Sequence, residues 1–441
     1  MERKKTSRMP EIFIVVGLGY GDEGKGTIVD YLARTHNGRL VVRFNGGAQA
    51  AHNVVTPNGK HHTFAQFGSG TLAGAGTHLS RFMMVNPFDL TNEARHLKEL
   101  GIKHPLETIS FSPEALVTTP LHVAANQIRE EQRINKHGTC GKGIGETQAS
   151  SIALGDAAIR MSDLRWQGIV EAKLAQLSQH YSTTLLETFE KEHGPIDEIA
   201  RSYRNLTEHL TIRDDDYVQD MINAGSTVIF EGAQGILLDQ DVGFHPHTTW
   251  SNTTSKNARS LIRDHDNITV IGVTRPYGTR HGAGPLVGDG SMLPMPEPHN
   301  AGTGLQGAFR FAPWDAIALD YAAKCDSIDA VAVTCLDQLE QDWQSTWSYQ
   351  YSGGLPDLAP YFWADNDRIF SITPDSNRAH VEAVANRLKD CTANVNVHDD
   401  VNSEYVVDAI GEVLHAPVIL QSFGPTWADK KERVLTWTEI A

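Results

Sequence analysis

Six short runs of β-branched and aromatic residues punctuate the chain, each bounded by turn residues: IFIVVGL (12–18), LVVRF (40–44), TVIFEG (227–232), NITVIGV (267–273), DAVAVTCL (329–336) and PVILQSF (417–423). Runs that are apolar without polar alternation predict strands buried on both faces, as in a mainly parallel sheet. Between them the period changes to that of a helix. Ile28, Val29 and Leu32 form one helical face, and Phe88, Leu90, Leu97 and Leu100 form another whose helix stops at Gly101. DAIALDYAAKC, RAHVEAVANRL and SEYVVDAIGEVL read as later helices. Strands alternating with helices predict an α/β fold built on a large, mainly parallel central sheet flanked by helices. Residues 162–225 interrupt the alternation: strand signals are absent, and Leu164, Val170, Leu174 and Leu177 recur at helical spacing in a polar background. That stretch is expected to be a helical excursion from a single domain covering 1–441, because neither an internal repeat nor a linker rich in Pro, Gly and Ser divides the chain.

Composition narrows the class. A formal net charge of -16, from 38 Lys and Arg against 54 Asp and Glu, argues against a surface for nucleic acid or anionic membrane, since phosphate backbones are bound by accumulated cations. A local basic pocket remains compatible with that total. Cys140, Cys325, Cys335 and Cys391 are scattered and form no CxxC pair, so neither a disulfide framework nor a zinc knot is expected. The leading MERKKTSRMP is basic, but the apolar run after it is short and feeds a glycine loop, so it reads as a first strand, not as a leader peptide. No run reaches the roughly 20 apolar residues that span a bilayer. A cytoplasmic enzyme acting on small molecules is the expectation.

The stretch GLGYGDEGKG (17–26) carries the first chemistry. Gly19 to Gly24 followed by Lys25 satisfies G-x-x-x-x-G-K, but Gly26 stands where a phosphate-binding P-loop needs Ser or Thr for magnesium. Glycines let successive N–H groups converge on an anion, the following helix adds its positive end, and Lys25 supplies a point charge. Asp22 and Glu23 are out of place in such a cradle. A carboxylate there is repelled by phosphate unless it holds a bridging divalent metal or takes a proton from the group being phosphorylated. The plainer reading makes Asp22 a turn residue or a helix cap.

Beyond that loop the chain resembles a known family. VVGLGYGDEGKGTIVDYLA is similar to the N-terminal signature of adenylosuccinate synthetases, and VVRFNGGAQAAHN, HGTCGKGIG, FEGAQGILLD, TTWSNTT, GTRHGAGP, TCLD and SFGP follow in the order found there. The resemblance implies a ligase in which GTP phosphorylates O6 of IMP and aspartate displaces that phosphate at C6. It implies Asp22 as the base that removes the N1 proton, with Lys25 and His52 stabilising charge as the phosphoryl group moves. Gln49, Cys140, Gln234 and Thr249 fall where the purine nucleotide is held. Gly21, Glu23, Gly24, Lys25, Gly26, Asp337, Ser422 and Gly424 fall where GTP is held, Asp337 accepting from guanine N1–H and N2–H2. Arg310 and Lys142 correspond to aspartate-binding positions, and Asp22 with the backbone carbonyl of Ala51 to the Mg2+ site. A homodimer is also implied.

Departures from the family pattern cluster around the pockets. Cys335 takes the place of the lysine in TKLD, Cys140 that of a threonine and Lys142 that of an arginine. Ala48 and Ala51 replace a histidine and a glycine. GAFRFAPW keeps only Arg310 of an arginine cluster, and no arginine lies between Lys142 and Arg160 to cross a dimer interface. These changes leave two alternatives beside the main reading: a relative that joins aspartate to dGMP toward 2-aminoadenine, with ATP as donor, and a purine-nucleotide-binding paralogue without catalysis.

Overall fold

A computed structural model of the chain describes residues 11–134, 138–193, 195–263, 265–292, 295–297, 300, 305–340, 345–353, 359–398 and 402–433. The basic stretch 1–10 therefore lies outside the described residues. The central sheet comprises β1 (Ile12–Gly17), β2 (Gly38–Arg43), β3 (Gly76–Leu79), β4 (Ile109–Phe111), β5 (Thr211–Ile212), β6 (Thr227–Glu231), β7 (Ile268–Thr274), β8 (Ala330–Val333), β9 (Val418–Ser422) and β10 (Lys430–Glu432). Its order is β10-β9-β8-β7-β1-β6-β2-β3-β4-β5. Every pairing is parallel except β9 with β10. The six predicted strands all sit in this sheet.

Alternate residues of each central strand enter different cores, which is why their sequences are apolar throughout. Phe13, Val15, Val41, Ile229, Ile271 and Val273 face Ile28, Val29 and Leu32 of the first helix, α1 (Lys25–Thr35). Ile14, Val16, Val42, Phe230 and Val270 face the opposite side, packing with Ile317 and Tyr321 from the helix Ala316–Cys325 and with Ile410 from the helix Ser403–Leu414. The predicted helix ending at Gly101 spans Pro87–Glu99, capped by the Asn86 side chain, and Gly101 adopts a φ of 104°.

Two features differ from the sequence expectation. The excursion is helical over Gln167–His180, Thr183–His193, Ile196–Thr207 and Asp216–Asn223, yet Thr211–Ile212 pairs with β4 as the edge strand. Two residues make no periodic signal, and the pairing comes from the sheet edge they meet. A second, five-stranded sheet built from Trp314–Asp315, Ser345–Ser352, Phe362–Asp365, Arg368–Ile372 and Thr392–His398 was not predicted. Its strands, such as STWSYQYS, alternate polar and apolar positions, so no continuous apolar run marks them. Trp347 and Tyr351 turn into the core, as do Phe362, Ile369 and Ile372 of the other strands.

In a parallel sheet all carboxyl ends share one edge, and ligands of open α/β sheets bind outside that edge. β1 runs into the glycine loop, β2 into Phe44–Gln49, β6 into Gly232–Gly235, β8 into Thr334–Asp337 and β9 into Phe423–Thr426. The sheet alone thus gathers segments far apart in sequence.

Because Phe230 is fully buried between β1 and β2, Phe230→Ala is expected to cost about 3–5 kcal/mol of stability. Ile169→Ala, on a helix surface at 44% exposure, should stay within about 0.5 kcal/mol of wild type. Urea denaturation of both variants checks the contrast.

Candidate active site

The glycine loop is shaped from both sides. Gly24 adopts a φ of 89° and caps α1, whose N-terminus begins at Lys25. From across the sheet, Gln234–Gly235 press against the loop: a Cβ on Gly235 would collide with Gly19 O and lie 2.9 Å from Gly21 N. Only glycine permits that backbone approach. Within the loop, Gly21 N–H donates to Glu23 Oε1 at 2.7 Å, and the buried Lys25 ammonium donates to Gly21 O at 2.8 Å and Glu23 Oε2 at 3.1 Å. The Glu23 carbonyl in turn accepts from Thr334 Oγ1 at 2.6 Å. Glu23 and Lys25 therefore neutralise each other inside the cradle.

Asp22 behaves differently from its neighbour. It is half-buried and its carboxylate has no hydrogen-bond partner among the described residues. Burial raises its pKa, opposed by His281, Arg275 and Lys25 and reinforced by Glu23. An unsatisfied carboxylate with raised basicity is suited to accept a proton or to ligate a hard cation. It does not cap α1, since Gly24 holds that position without a side-chain cap, so the plainer reading of Asp22 as a cap is set aside.

His52 packs beside the helix start, where a Cβ on Gly26 would fall 2.7 Å from His52 Cβ. Its Nδ1 lies 2.6 Å from Glu231 Oε1. Glu231 also accepts the Ser69 N–H at 2.9 Å and a short bond from Ser69 Oγ. Its register partner on β2 is Arg43, itself fully buried. Burial pushes the Glu231 carboxyl up, but Arg43, His52 and Ser69 outweigh it and bring the carboxyl down to about 2. Burial keeps His52 below its ordinary value, against the pull of Glu231. The pair is thus a charged carboxylate and a neutral imidazole. Nδ1–H donates to Glu231, so Nε2 faces away as the exchangeable position.

Other predicted residues converge on the same edge. Gln49 Nε2 donates to Gln234 Oε1 at 3.4 Å, leaving Gln49 Oε1 buried and unpartnered. Gln234 sits at a φ of 65°, a strained conformation that turns its side chain out of the β6 loop. Thr249 is fixed by its N–H to Leu238 O at 2.8 Å, and the adjacent Trp250 contacts the helix carrying Gly145, 3.2 Å from a Cβ placed there. The segment with Cys140 crosses the 282–283 turn, a Gly138 Cβ lying 3.0 Å from Gln306 O. Here a cavity of about 500 Å³ opens, lined by Glu130, Gly138, Ala283, Gln306 and Arg310 among others.

Arg310 lines that cavity, donating to Asp289 at 2.9 Å and to Gly284 O at 2.9 Å. Lys142 does not join it: its ammonium pairs with Asp89 at 3.1 Å on the helix Pro87–Glu99. The two predicted aspartate-binding residues thus each pair with an acid of the chain, Arg310 with Asp289 and Lys142 with Asp89. Ser422 ends β9 and Gly424 lies on the loop after it, tied to α1 by Thr27 Oγ1 donating to Pro425 O at 3.0 Å. Ala51 is exposed at the end of the β2 turn.

Comparison with known proteins gives this edge its context. The adenylosuccinate synthetase family model matches residues 14–430. The chain belongs to the adenylosuccinate synthetase family. The adenylosuccinate synthetase of Clostridium beijerinckii is 32% identical over 338 residues, covering 74% of this chain and 78% of that protein. That of Alkalilimnicola ehrlichii is 30% identical over 97% of this chain and 98% of its own length. Among solved structures, fully ligated adenylosuccinate synthetase from Plasmodium falciparum superposes with a TM-score of 0.77 at 22% identity, over 96% of this chain and 100% of that one. A cyanophage S-2L succinoaminodeoxyadenylate synthetase, bound to dGMP and dATP as an energy donor, superposes with a TM-score of 0.61 at 16% identity, over 96% of each. Those likenesses establish the shared fold, and family membership makes the chain a ligase of this type.

Residue-by-residue reading of the sequence missed Glu231, Ser69 and Arg43 behind His52. Glu231 follows three buried apolar residues of β6, and a charge ending an apolar strand was the signal available. Replacing it tests the pair. Glu231→Gln is expected to lower turnover about 100-fold. Because the folded carboxyl sits near 2 against an ordinary 4.5, its stabilisation is fully present above pH 4.5 and fades as pH falls toward 2. Wild type should therefore lose more stability than Glu231→Gln between pH 6 and pH 3 in urea denaturation.

Proposed function

We propose that this chain joins L-aspartate to C6 of a purine nucleotide, IMP, at the expense of GTP, through a 6-phosphoryl intermediate in purine nucleotide biosynthesis. The observation that carries this reading is the Asp22 carboxylate, unpartnered in a glycine loop whose other acid, Glu23, is already neutralised by Lys25. A loop that only bound phosphate would gain nothing from that second charge.

The chemistry follows from the base. Hydroxide-like O6 of hypoxanthine leaves poorly, so it is first made a phosphate ester. Asp22 accepts the N1 proton, the electron density appears on O6, O6 attacks the γ-phosphorus, and GDP departs. The amine of aspartate then adds at C6, loses a proton, and inorganic phosphate leaves. Lys25 and α1's N-terminus stabilise the charge of the phosphoryl oxygens, and His52, its Nδ1–H held by Glu231, carries a proton on Nε2 when the anionic γ-phosphate is bound, so that Nε2–H donates to the transferring group. Gln234 and Gln49, with one amide oxygen unpartnered, address the purine nucleotide together with Thr249 and Cys140. Asp337 with Ser422 and Gly424 takes the triphosphate's base.

The hard oxygen donors present, the Asp22 carboxylate and the Ala51 carbonyl, fit Mg2+, which takes one or two protein oxygens and completes its shell with phosphates and water. When bound, that ion would neutralise charge on the phosphates. Arg310 remains to grip aspartate, and a single guanidinium can hold one carboxylate bidentately. Exposed Ile152, on the helix Ile144–Leu154, and Trp166, at the start of the helix Gln167–His180, at 68% and 59% exposure, support a homodimer through that surface. The chain is read as one functional domain over 1–441. The four cysteines are free thiols, consistent with a cytoplasmic setting, and no described helix is long and apolar enough to cross a membrane.

The test is phosphate release measured across IMP, GMP and dGMP, each with GTP or ATP, with and without aspartate. Release is expected with IMP, GTP and aspartate together and in no mixture lacking one of the three. Turnover of dGMP without IMP would move the assignment to the 2-aminoadenine branch. Asp22→Asn should lose at least about 1,000-fold in kcat, and an unchanged rate in that variant would remove Asp22 from the chemistry.

A further inference from the structure

The base-reading end of the triphosphate site contains a cation that the family resemblance does not assign. Lys430, the first residue of β10, is 7% exposed. Its ammonium donates to Gly424 O at 2.7 Å and Thr426 O at 2.8 Å. Ser422 Oγ adds a third donor, also onto Gly424 O, at 3.2 Å. The N–H of Gly424, by contrast, makes no hydrogen bond among the described residues. Asp429 closes the loop by accepting from Thr426 N at 2.8 Å and Thr426 Oγ1 at 2.7 Å. The carbonyls of Gly424, Pro425 and Thr426 are thus taken, the first and last by Lys430, while the Gly424 N–H is left open.

The charged and titratable groups facing the ammonium are Asp429, Cys335, Asp30 and Asp337. Two of these, Cys335 and Asp337, belong to the TCLD segment after β8. Cys335 offers a thiol where the resemblance expects a lysine, so the cation of this corner arrives from β10 instead.

We propose that Lys430 is a specificity-determining positioning residue, which holds the 422–426 loop in a form that reads a 6-oxo purine, guanine, in the triphosphate and rejects a 6-amino purine. The inference rests on the proposed function only in taking this corner as the triphosphate's base site. Guanine presents an acceptor at O6 and donors at N1 and N2, which match an open N–H and the carboxylate of Asp337. Adenine presents a donor at N6 and an acceptor at N1. It needs a free carbonyl opposite N6, and Lys430 occupies those of Gly424 and Thr426. Polar groups left unpaired in a closed site are what give hydrogen-bonding pockets their discrimination.

Equilibrium binding of GTP and of ATP to the full chain, read by displacement of a fluorescent nucleotide, tests this apart from turnover. Wild type is expected to bind GTP at least about tenfold more tightly than ATP, and Lys430→Met to shrink that ratio about tenfold, chiefly by weakening GTP. Burial lowers Lys430 to about 8, so its donation is charge-assisted below that pH and weakens above it, where the neutral amine remains. GTP affinity of wild type should fall between pH 7 and 9 while that of Lys430→Met stays level, and in steady state the variant's loss should appear in KM for GTP, not in kcat. An unaltered GTP/ATP ratio in the variant overturns the proposal, as does a wild type that binds both equally or whose GTP affinity ignores pH. Because binding is read directly, a chain that bound as expected yet released no phosphate would refute the reaction and leave Lys430 in its role.

Discussion

The parallel register of three strands is the constraint on which the site depends. It sets Val15, Glu231 and Arg43 side by side at the ends of β1, β6 and β2, so the loops leaving those strands meet backbone to backbone. Gly19 and Gly235 touch, Gly26 abuts His52, and a buried carboxylate with its guanidinium neighbour lies beneath both contacts. A one-residue slip of β6 would invert its alternation, sending Glu231 to the other face and Phe230 toward α1. The apolar residues of β6 therefore fix the geometry of the chemistry above them.

With that platform in place, the two acids of the glycine loop serve different ends. Glu23 is consumed internally by Gly21 and Lys25, which closes the loop around its own charge. Asp22 stays unsatisfied in a partly desolvated position, and burial makes it a stronger base than an exposed aspartate. A similar division appears at His52. Its ring is oriented by a carboxylate that remains ionised at physiological pH and favours the protonated imidazole, so Nε2 meets the arriving negative charge as a donor. The electrostatics are prepared before any substrate binds, which is how a site stabilises charge that develops only in the transition state.

Legibility of the sequence followed how local each signal was. The six central strands and α1 were readable because full burial leaves apolar runs such as IFIVVG, and GDEGKG was readable because glycine geometry is local. The antiparallel sheet escaped because strands like TANVNVH carry no such run, and Thr211–Ile212 is too short to carry any period. At the site, Asp22, Lys25, His52 and Gln234 were singled out from the motifs that contain them. Glu231 and Lys430 were not, because the contacts they make arise from register and from a loop closing on itself, relations that no linear spacing encodes. Lys142 and Arg310, given to the aspartate pocket by the resemblance, pair with Asp89 and Asp289, partners that no linear spacing announces.

The central claim is that O6 of the purine becomes a phosphate before nitrogen arrives. It is tested most directly by turnover of IMP labelled with ¹⁸O at position 6, followed by mass analysis of the released phosphate. The account predicts one ¹⁸O atom in each phosphate formed, at the rate of product formation. Unlabelled phosphate, with the ¹⁸O appearing in water, would contradict it, for the triphosphate would then be hydrolysed without ever activating the ring.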